Sequence, residues 1–203
     1  MIATDEELVV AARQGDSAAM NELLGRHYER VHAVCRRIAG ASRDADDAAQ
    51  ETMIRVVRHL DKFDGRSSFS TWVYRIATNT SLDELRKRRR RPQLHIVSDD
   101  RDGPHEFADP MADREVEASV DRSAIDAALA SLPEDFRVPL VMRDVADLDY
   151  EEIAQTLGVP IGTVKSRIAR GRRQMLAYLE NTGHFGNQPP SDERPTNEPP
   201  GFP

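Results

Sequence analysis

The sequence predicts an all-α protein composed of two small helical domains. Along most of the chain, apolar residues recur at steps of three and four, as on one face of a helix, and the alternation typical of β-strands is scarce. A chain of 203 residues has room for one or two domains. Residues 93–117 contain eight acidic residues, two arginines and helix-breaking Gly and Pro. We therefore expect helical domains at residues 1–92 and 118–181, joined by a flexible acidic linker and followed by a disordered proline-rich tail at 182–203.

Charge and composition exclude several classes of protein. The net charge of −7 argues against a chain that binds polyanions over its whole surface, but it does not exclude local basic patches. Cys35 is the only cysteine, so an internal disulfide is impossible and a reducing cytoplasm is expected. The sequence has no apolar run of membrane-spanning length, and its acidic N-terminal stretch is unlike a secretion signal. We expect a soluble cytoplasmic protein without a membrane segment of its own.

The first two helices are marked by their capping residues. Thr4 with Glu7 forms a capping box, and the short helix that follows should end near Gly15. Asp16 should cap a second helix that ends at Gly40. The predicted buried positions are Leu8, Ala11 and Ala12 in the first helix, and Met20, Leu24, Tyr28, Val31, Cys35 and Ile38 in the second.

The third helix should begin near Ser42 and present an acidic face. Its predicted buried stripe is Ala49, Met53, Val56, Val57 and Leu60. The outward set, called here the acidic face, is Asp47, Gln50, Glu51 and Ile54. Such carboxylates could ligate a hard cation or act as an acid and base pair. No histidine base, glycine-rich phosphate loop or nucleophile arrangement accompanies them, so we favour a docking face for a basic partner.

Two further side chains are possible metal ligands. His32 and Cys35 have a spacing that metals use, but two ligands without partners nearby are weak evidence. Cys35 is most simply a core residue. We predict no metal, no cofactor and no catalytic residues.

Aromatic and basic residues then follow in a pattern that suits unpaired nucleic acid. A polar turn runs from Phe63 to Phe69 and leads into a helix with Trp72 and Asn79, which ends in six consecutive cations at residues 86–91. Aromatic rings stack on bases, amides pair with base edges and cations bind phosphates. The alternative is that the aromatic side chains are core. We favour the core for Phe63 and leave both interpretations open for Trp72.

The second half predicts a helix-turn-helix. A helix over about 118–130 precedes another that begins after Pro133, carries Phe136, Leu140 and Val141 in a second core, and should kink at Pro139. Asp149 and Glu152 form a capping box, Gly158 ends that helix and Pro160 suits the first turn of the next. The predicted inward residues of the last helix are Ile161, Val164 and Ile168; its outward set, called here the reading face, is Thr163, Lys165, Ser166, Arg167 and Arg170. This polar, basic face suits a DNA major groove, although an ordinary amphipathic hairpin has the same spacing.

Several motifs, in order and at family-like spacing, resemble the extracytoplasmic-function (ECF) sigma factors of bacterial RNA polymerase. They are DADDAAQE at 44–51, the Phe63 turn, FSTW at 69–72, IATN at 76–79, Asp83, the arginine run, Leu132-Pro133, YEEIA at 150–154 and GTVKSR at 162–167. The resemblance covers roughly residues 5–180. Asp149 stands where serine is commoner in the family, and the proline-rich tail is additional.

The resemblance implies a promoter-specificity subunit that is not itself an enzyme. The acidic face would bind core RNA polymerase, and the reading face would read the −35 promoter element. The residues implied for the melted −10 element are Arg66, Ser67, Ser68, Phe69, Trp72, Arg75, Asn79 and Arg86. The partners implied are core RNA polymerase, promoter DNA and an anti-sigma factor.

Two other classes of protein remain as alternatives. A free-standing helix-turn-helix regulator would bind an operator by itself, usually as a symmetric dimer. A carboxylate enzyme fused to a DNA-binding domain would bind metal at Asp44, Asp46, Asp47 and Glu51.

Overall fold

The computed structural model describes residues 3–40, 42–90 and 123–183, and these ranges are helical without a β-strand. The helices are α1 (Asp5–Arg13), α2 (Ser17–Ala39), α3 (Ser42–His59), α4 (Phe69–Arg90), α5 (residues 123–131), α6 (Glu134–Asp144), α7 (Tyr150–Leu157) and α8 (Ile161–Asn181), with a 3₁₀ turn at Leu60–Lys62 between α3 and α4. The all-α prediction is confirmed. The acidic linker at 93–117, Arg91 and residues 184–203 of the tail lie outside the described residues.

Helix N-termini form where side chains satisfy otherwise unpaired backbone N–H groups. At α1, Thr4 N donates to Glu7 Oε2 at 2.8 Å and Glu7 N donates to Thr4 Oγ1 at 3.3 Å. At α7, Asp149 and Glu152 exchange the same two hydrogen bonds at 2.9 and 2.7 Å. Asp16 accepts from the first turn of α2. The three predicted caps are confirmed.

Helices α1–α4, called here the first unit, pack around α2. The buried residues of α2 include Leu23, Val31, Cys35 and Ile38. Tyr28 was expected in this stripe but is 43% exposed, so that prediction is wrong. The stripe instead passes through Leu23 and His27, one residue earlier in the sequence than Leu24 and Tyr28, and so lies on a face rotated around the helix.

His27 is a buried polar residue that joins three helices of the first unit. Its Nε2 lies 2.7 Å from Asp5 Oδ2 in α1, and its Nδ1 lies 3.3 Å from the Tyr74 hydroxyl in α4. Its ring meets the Phe69 ring edge-on with centroids 5.3 Å apart. These partners satisfy the polar atoms of an imidazole that periodicity alone would assign to the surface.

Arg13 fixes the turn between α3 and α4. Its guanidinium donates to the Leu60 carbonyl through Nη2 at 2.8 Å and through Nε at 3.1 Å, and also to the Phe63 carbonyl. Phe63 is buried, as predicted. On α3, Val57 is 46% exposed, so its predicted burial is wrong.

Helices α5–α8, called here the second unit, contain the helix-turn-helix. Gly158 ends α7 with φ +66°, in the left-handed conformation that glycine favours. Pro160 is the N-cap of α8 rather than part of its first turn. Val164 and Ile168 are buried as predicted, whereas Ile161 is partly exposed.

The crossing of α6 and α8 sets the position of the reading face. Pro139 lies within α6, which remains helical through it. At Gly171 in α8, a Cβ atom would lie 3.2 Å from the Phe136 carbonyl oxygen and 3.4 Å from Leu140 Cδ2. Glycine therefore permits a close approach of the two helices here.

Candidate protein and nucleic-acid interfaces

The acidic face forms one accessible surface on α3. Asp47 and Gln50 are exposed, Ile54 is 43% exposed, and Glu51 is partly exposed beside them. Arg55 Nε donates to Glu51 Oε1 at 2.8 Å, and this hydrogen bond lowers the pKa of the Glu51 carboxyl. The structure therefore brings together all four residues predicted for this face.

Neighbouring carboxylates of α3 are engaged within the first unit. Asp46 Oδ1 lies 2.9 Å from His32 Nε2, and Asp44 Oδ2 lies 3.5 Å from Arg88 Nη1. In the described ranges, no group of three or more His, Cys, Asp or Glu side chains is arranged to hold a metal ion. The geometry thus provides a charged surface with an exposed isoleucine.

Most of the residues implied for the −10 element line one cleft on the first unit. The cleft is a cavity of about 740 Å³, and Asp149 and three residues of α7 from the second unit form its other wall. Its wall from the first unit consists of Lys62, Asp64, Arg66, Ser67, Trp72, Arg75, Ile76 and Asn79. Lys62 was missed at the sequence level, because a lone lysine before a turn carries no distinguishing signal. The cleft combines an aromatic ring, an amide and three cations, which are the groups that bind unpaired bases and phosphates.

Trp72 is partly packed against the core and partly accessible, so the structure is compatible with both interpretations of its side chain. Its ring centroid lies 5.6 Å from that of Phe63 and 5.8 Å from that of Phe69, so it belongs to an aromatic cluster. It is only partly buried and lines the cleft. One part of the side chain is core, and another is accessible to a ligand.

Three residues of the implied −10 set are placed differently. Phe69 is 2% exposed, so in this structure its ring supports Trp72 and does not reach a base. Ser68 Oγ accepts from Thr71 N at 3.1 Å, which places Ser68 as a cap at the start of α4. Arg86 lies outside the large cleft and pairs with Asp83 at 3.2 Å.

The basic end of α4 is partly neutralised by acidic neighbours. Lys87 pairs with Glu84 at 2.6 Å within the helix. Arg89 Nη2 lies 2.6 Å from Glu134 Oε2 of α6. These exposed pairs are individually weak, so the cations stay available to a stronger anion such as phosphate.

The reading face lies on the first half of α8. Lys165, Ser166 and Arg170 are exposed, and Thr163 is partly exposed. Arg167 is less accessible, and its Nη2 lies 3.2 Å from Asp135 Oδ1.

The ammonium group of Lys165 lies 5.4 Å from the Tyr150 ring centroid, within cation–π range. Because Tyr150 is the first residue of α7, this contact joins the two helices of the helix-turn-helix at the reading face.

Together, the fold and these surfaces are those of a helical protein with a helix-turn-helix and a second unit whose cleft is lined by aromatic, amide and basic side chains. A family model described as Sigma-70 region 2 matches residues 23–91, and one described as Sigma-70, region 4 matches residues 122–175. The chain belongs to the ECF sigma factors of the sigma-70 family. It is thus a promoter-specific transcription initiation factor, and nothing in the comparisons favours a free-standing regulator.

Individual relatives agree with this assignment. The ECF RNA polymerase sigma factor SigE of Mycolicibacterium smegmatis is 43% identical over 169 residues, which are 81% of this chain and 64% of that relative. The ECF RNA polymerase sigma-E factor of Haemophilus influenzae is 34% identical over 178 residues, which are 85% of this chain and 93% of that relative. A solved structure of the sigma factor RpoE from Bartonella quintana has a similar fold, with a TM-score of 0.63 and 23% identity over 79% of this chain and 96% of that one.

In the described ranges, no helix combines the length and the apolar character that a membrane-spanning helix needs.

Proposed function

We propose that each of the three surfaces makes a different contact during promoter selection. The acidic face binds core RNA polymerase, the cleft on the first unit holds the melted −10 element, and the reading face contacts the −35 element. The proposed domains are residues 1–92 and 118–181, with 93–117 as the linker and 182–203 as a tail. The chain carries out no reaction of its own, because catalysis belongs to the polymerase, and it acts in the cytoplasm.

The acidic face suits a basic protein surface. Its two carboxylates are accessible and the adjoining Ile54 is 43% exposed, so charge attraction and apolar burial act at the same place. Charge complementarity of this kind sets the orientation and rate of encounter, and a buried apolar contact prolongs the complex.

The cleft suits a separated DNA strand rather than a duplex. Trp72 offers a ring supported from behind by Phe63 and Phe69, so a base can stack on it without displacing the core. Arg75 and Asn79 line the same cavity and supply a phosphate contact and a base-edge contact. This convergence of ring, cation and amide is the single observation that carries the proposal.

An anti-sigma protein is a further proposed partner. The Bartonella quintana structure is a co-crystal of that sigma factor with the anti-sigma factor NepR. A protein that covers the acidic face would prevent the chain from binding polymerase.

The experiment that tests the proposal is co-purification with core RNA polymerase. The double variant Asp47→Ala, Glu51→Ala should weaken association about tenfold, a loss of about 1.4 kcal/mol. The control is Glu6→Ala, Glu180→Ala, which removes two exposed carboxylates elsewhere. If the control weakens association equally, or if the free protein binds duplex DNA as a dimer and ignores polymerase, the proposal is wrong.

Promoter contacts are tested separately with the assembled holoenzyme. Arg75→Ala should slow strand opening at a promoter whose −35 contacts are intact. Lys165→Ala should weaken promoter binding and lower the salt dependence by about one counterion. If opening by Arg75→Ala holoenzyme matches that of wild type, the cleft does not hold the −10 element.

A further inference from the structure

Tyr150, the first residue of α7, has cations from two other helices of the second unit over its ring. The guanidinium carbon Cζ of Arg143, in α6, lies 5.3 Å from the centroid of this ring. The Nζ atom of Lys165, in α8, lies 5.4 Å from the same centroid. Both distances are within cation–π range. One aromatic ring therefore connects α6, α7 and α8 at the reading face.

The ring of Tyr150 is itself held in place by its surroundings. Arg143 Nη1 donates to the Leu148 carbonyl oxygen at 2.8 Å, so the same guanidinium group also holds the turn between α6 and α7. Within this turn Asp147 adopts φ +57°, a left-handed conformation that aspartate tolerates, and Leu148 N donates to the Met142 carbonyl oxygen at 3.0 Å. The ring also packs against the buried core. The turn behind the ring and the core beneath it therefore both fix its position.

The contact with the ring restricts Lys165 without neutralising it. The lysine side chain is exposed, and within the described ranges it has no carboxylate partner. Arg167, two residues later in the reading face, instead lies 3.2 Å from Asp135 Oδ1. A carboxylate cancels the charge of the cation that it holds, whereas an aromatic ring attracts the cation through its quadrupole and leaves the net charge unchanged. Lys165 therefore keeps its full positive charge for an anion of the DNA.

The position of the Lys165 ammonium group indicates that its partner is a phosphate. In a helix-turn-helix the second helix enters the major groove, while the first helix crosses the sugar–phosphate backbone. Because Lys165 Nζ lies over the first residue of α7, it is on the side of the reading face that meets the backbone. Lysine is also a compact point charge, which suits a phosphate oxygen better than the bidentate pattern of a base edge.

We propose that Tyr150 is a positioning residue, which holds Lys165 against a phosphate of the DNA backbone beside the −35 element. This inference rests on the proposed function of the reading face. In this arrangement Lys165 contributes an affinity that is the same for every sequence. The choice of base depends on other exposed residues of the reading face, such as Ser166 and Arg170.

The size of the effect follows from the strength of the two contacts. An exposed cation–π contact is weak, so loss of the ring should weaken promoter binding about threefold. Loss of the lysine removes the phosphate contact itself, so Lys165→Ala should weaken binding about tenfold. Lys165→Ala should also lower the slope of the logarithm of affinity against the logarithm of salt concentration by about one.

Substitutions of Tyr150 separate positioning from a general effect on folding. Tyr150→Leu removes the ring and keeps an apolar side chain against the core, so it should show the threefold loss. Tyr150→Phe keeps the ring and removes only the hydroxyl, so it should bind within about twofold of wild type. Adding Tyr150→Leu to Lys165→Ala should cause no further loss, because the ring then has no lysine to position. A disturbed helix-turn-helix would instead weaken binding in both backgrounds.

The assay is equilibrium binding of promoter DNA by the reconstituted holoenzyme across a series of salt concentrations. The probe is a fluorescein-labelled duplex that wild-type holoenzyme selects from a library of random sequence, with derivatives that each carry one substitution in the selected −35 element. Lys165→Ala and Tyr150→Leu should each weaken binding to the selected duplex and to its derivatives by the same factor. The control Tyr178→Leu makes the same change at a partly exposed tyrosine of α8 and should bind as wild type does.

The outcomes separate this inference from the function on which it rests. If Lys165→Ala changes neither affinity nor salt slope, the proposed role of the reading face fails at this residue, and the inference fails with it. If Lys165→Ala weakens binding and Tyr150→Leu does not, the reading face stands and positioning by the ring is overturned. Unequal losses across the −35 derivatives would show that Lys165 reads a base. Equal losses in Tyr150→Phe and Tyr150→Leu would show that the hydroxyl contacts DNA directly, and either result overturns the inference alone.

Discussion

Replacing Gly171 with alanine should destabilise the second unit, although the same change stabilises most helices. Gly171 lies within α8, where alanine is favoured over glycine by about 1 kcal/mol. Its added Cβ would lie 3.2 Å from the Phe136 carbonyl oxygen. That oxygen belongs to the backbone of α6, so it cannot move unless the helix moves with it.

The expected change in the free energy of unfolding is the difference between these two effects. Overpacking at a close contact costs about 1–3 kcal/mol. After subtraction of the propensity gain of about 1 kcal/mol, the free energy of unfolding should fall by about 1 kcal/mol. Gly162 in the same helix and Gly25 in α2 have open space where a Cβ would stand. Alanine at either of these positions should be neutral or stabilising by up to about 1 kcal/mol.

Thermal unfolding followed by far-UV circular dichroism distinguishes these outcomes. The Gly171→Ala variant should have a lower midpoint than wild type, whereas the two controls should match or exceed wild type. If Gly171→Ala raised the midpoint as the controls do, α6 and α8 could separate without cost. The close crossing of α6 and α8 would then not be what fixes the reading face.

Three further predictions concern single side chains. Asp149→Ala should lower the free energy of unfolding by about 1 kcal/mol in chemical denaturation, whereas Asp149→Ser, an equally good cap, should change it little. Arg13→Ala should lower the free energy of unfolding by about 1–3 kcal/mol in the same assay, because the carbonyls of Leu60 and Phe63 lose their donor. A decrease smaller than that caused by replacing an exposed arginine with alanine would contradict this. Burial raises the pKa of the Cys35 thiol, so the free energy of unfolding should fall as pH rises above about 8.5, the ordinary value. Cys35→Ala should lack that decline, and equal slopes for the two proteins would show that another group causes it.

The parts of the fold that the sequence predicted well depend on local chemistry. The capping boxes at Thr4 and Asp149 and the left-handed Gly158 need only residues within four positions of each other. These capping interactions are present in the folded protein as predicted, because tertiary contacts rarely compete for the same backbone groups. The order of the helices and the outward direction of the acidic face follow from the same local periodicity.

The wrong predictions concern residues whose burial is decided by contacts that are distant in sequence. Tyr28 and Val57 lie at the edges of apolar stripes, where a step of three or four fits the pattern equally well. His27 is buried because Asp5 and Tyr74 satisfy its ring nitrogens, and neither partner is visible in a helical pattern. A helical pattern of hydropathy treats histidine as a polar residue. It therefore does not predict the burial of a histidine whose ring nitrogens have partners in the core.

The residues that line the cleft could likewise be predicted only in part from the sequence. The motif resemblance supplied Trp72, Arg75 and Asn79, and the structure places all three in one cavity. The resemblance also supplied Phe69, whose burial depends on how α2 and α4 pack. The carboxylates of α7 that share the cavity come from a part of the chain about 70 residues later in sequence, beyond the reach of any local pattern.

The anchoring of α1 by Arg13 has a consequence for synthesis of the chain on the ribosome. Helix α1 has nine residues, which is too short to persist alone in water. Its arginine binds carbonyls that lie 47 and 50 residues later in sequence. The contacts of Arg13 therefore cannot form until the turn after α3 has left the exit tunnel. Although α1 is made first, its C-terminal end is anchored only after α2 and α3 have been made.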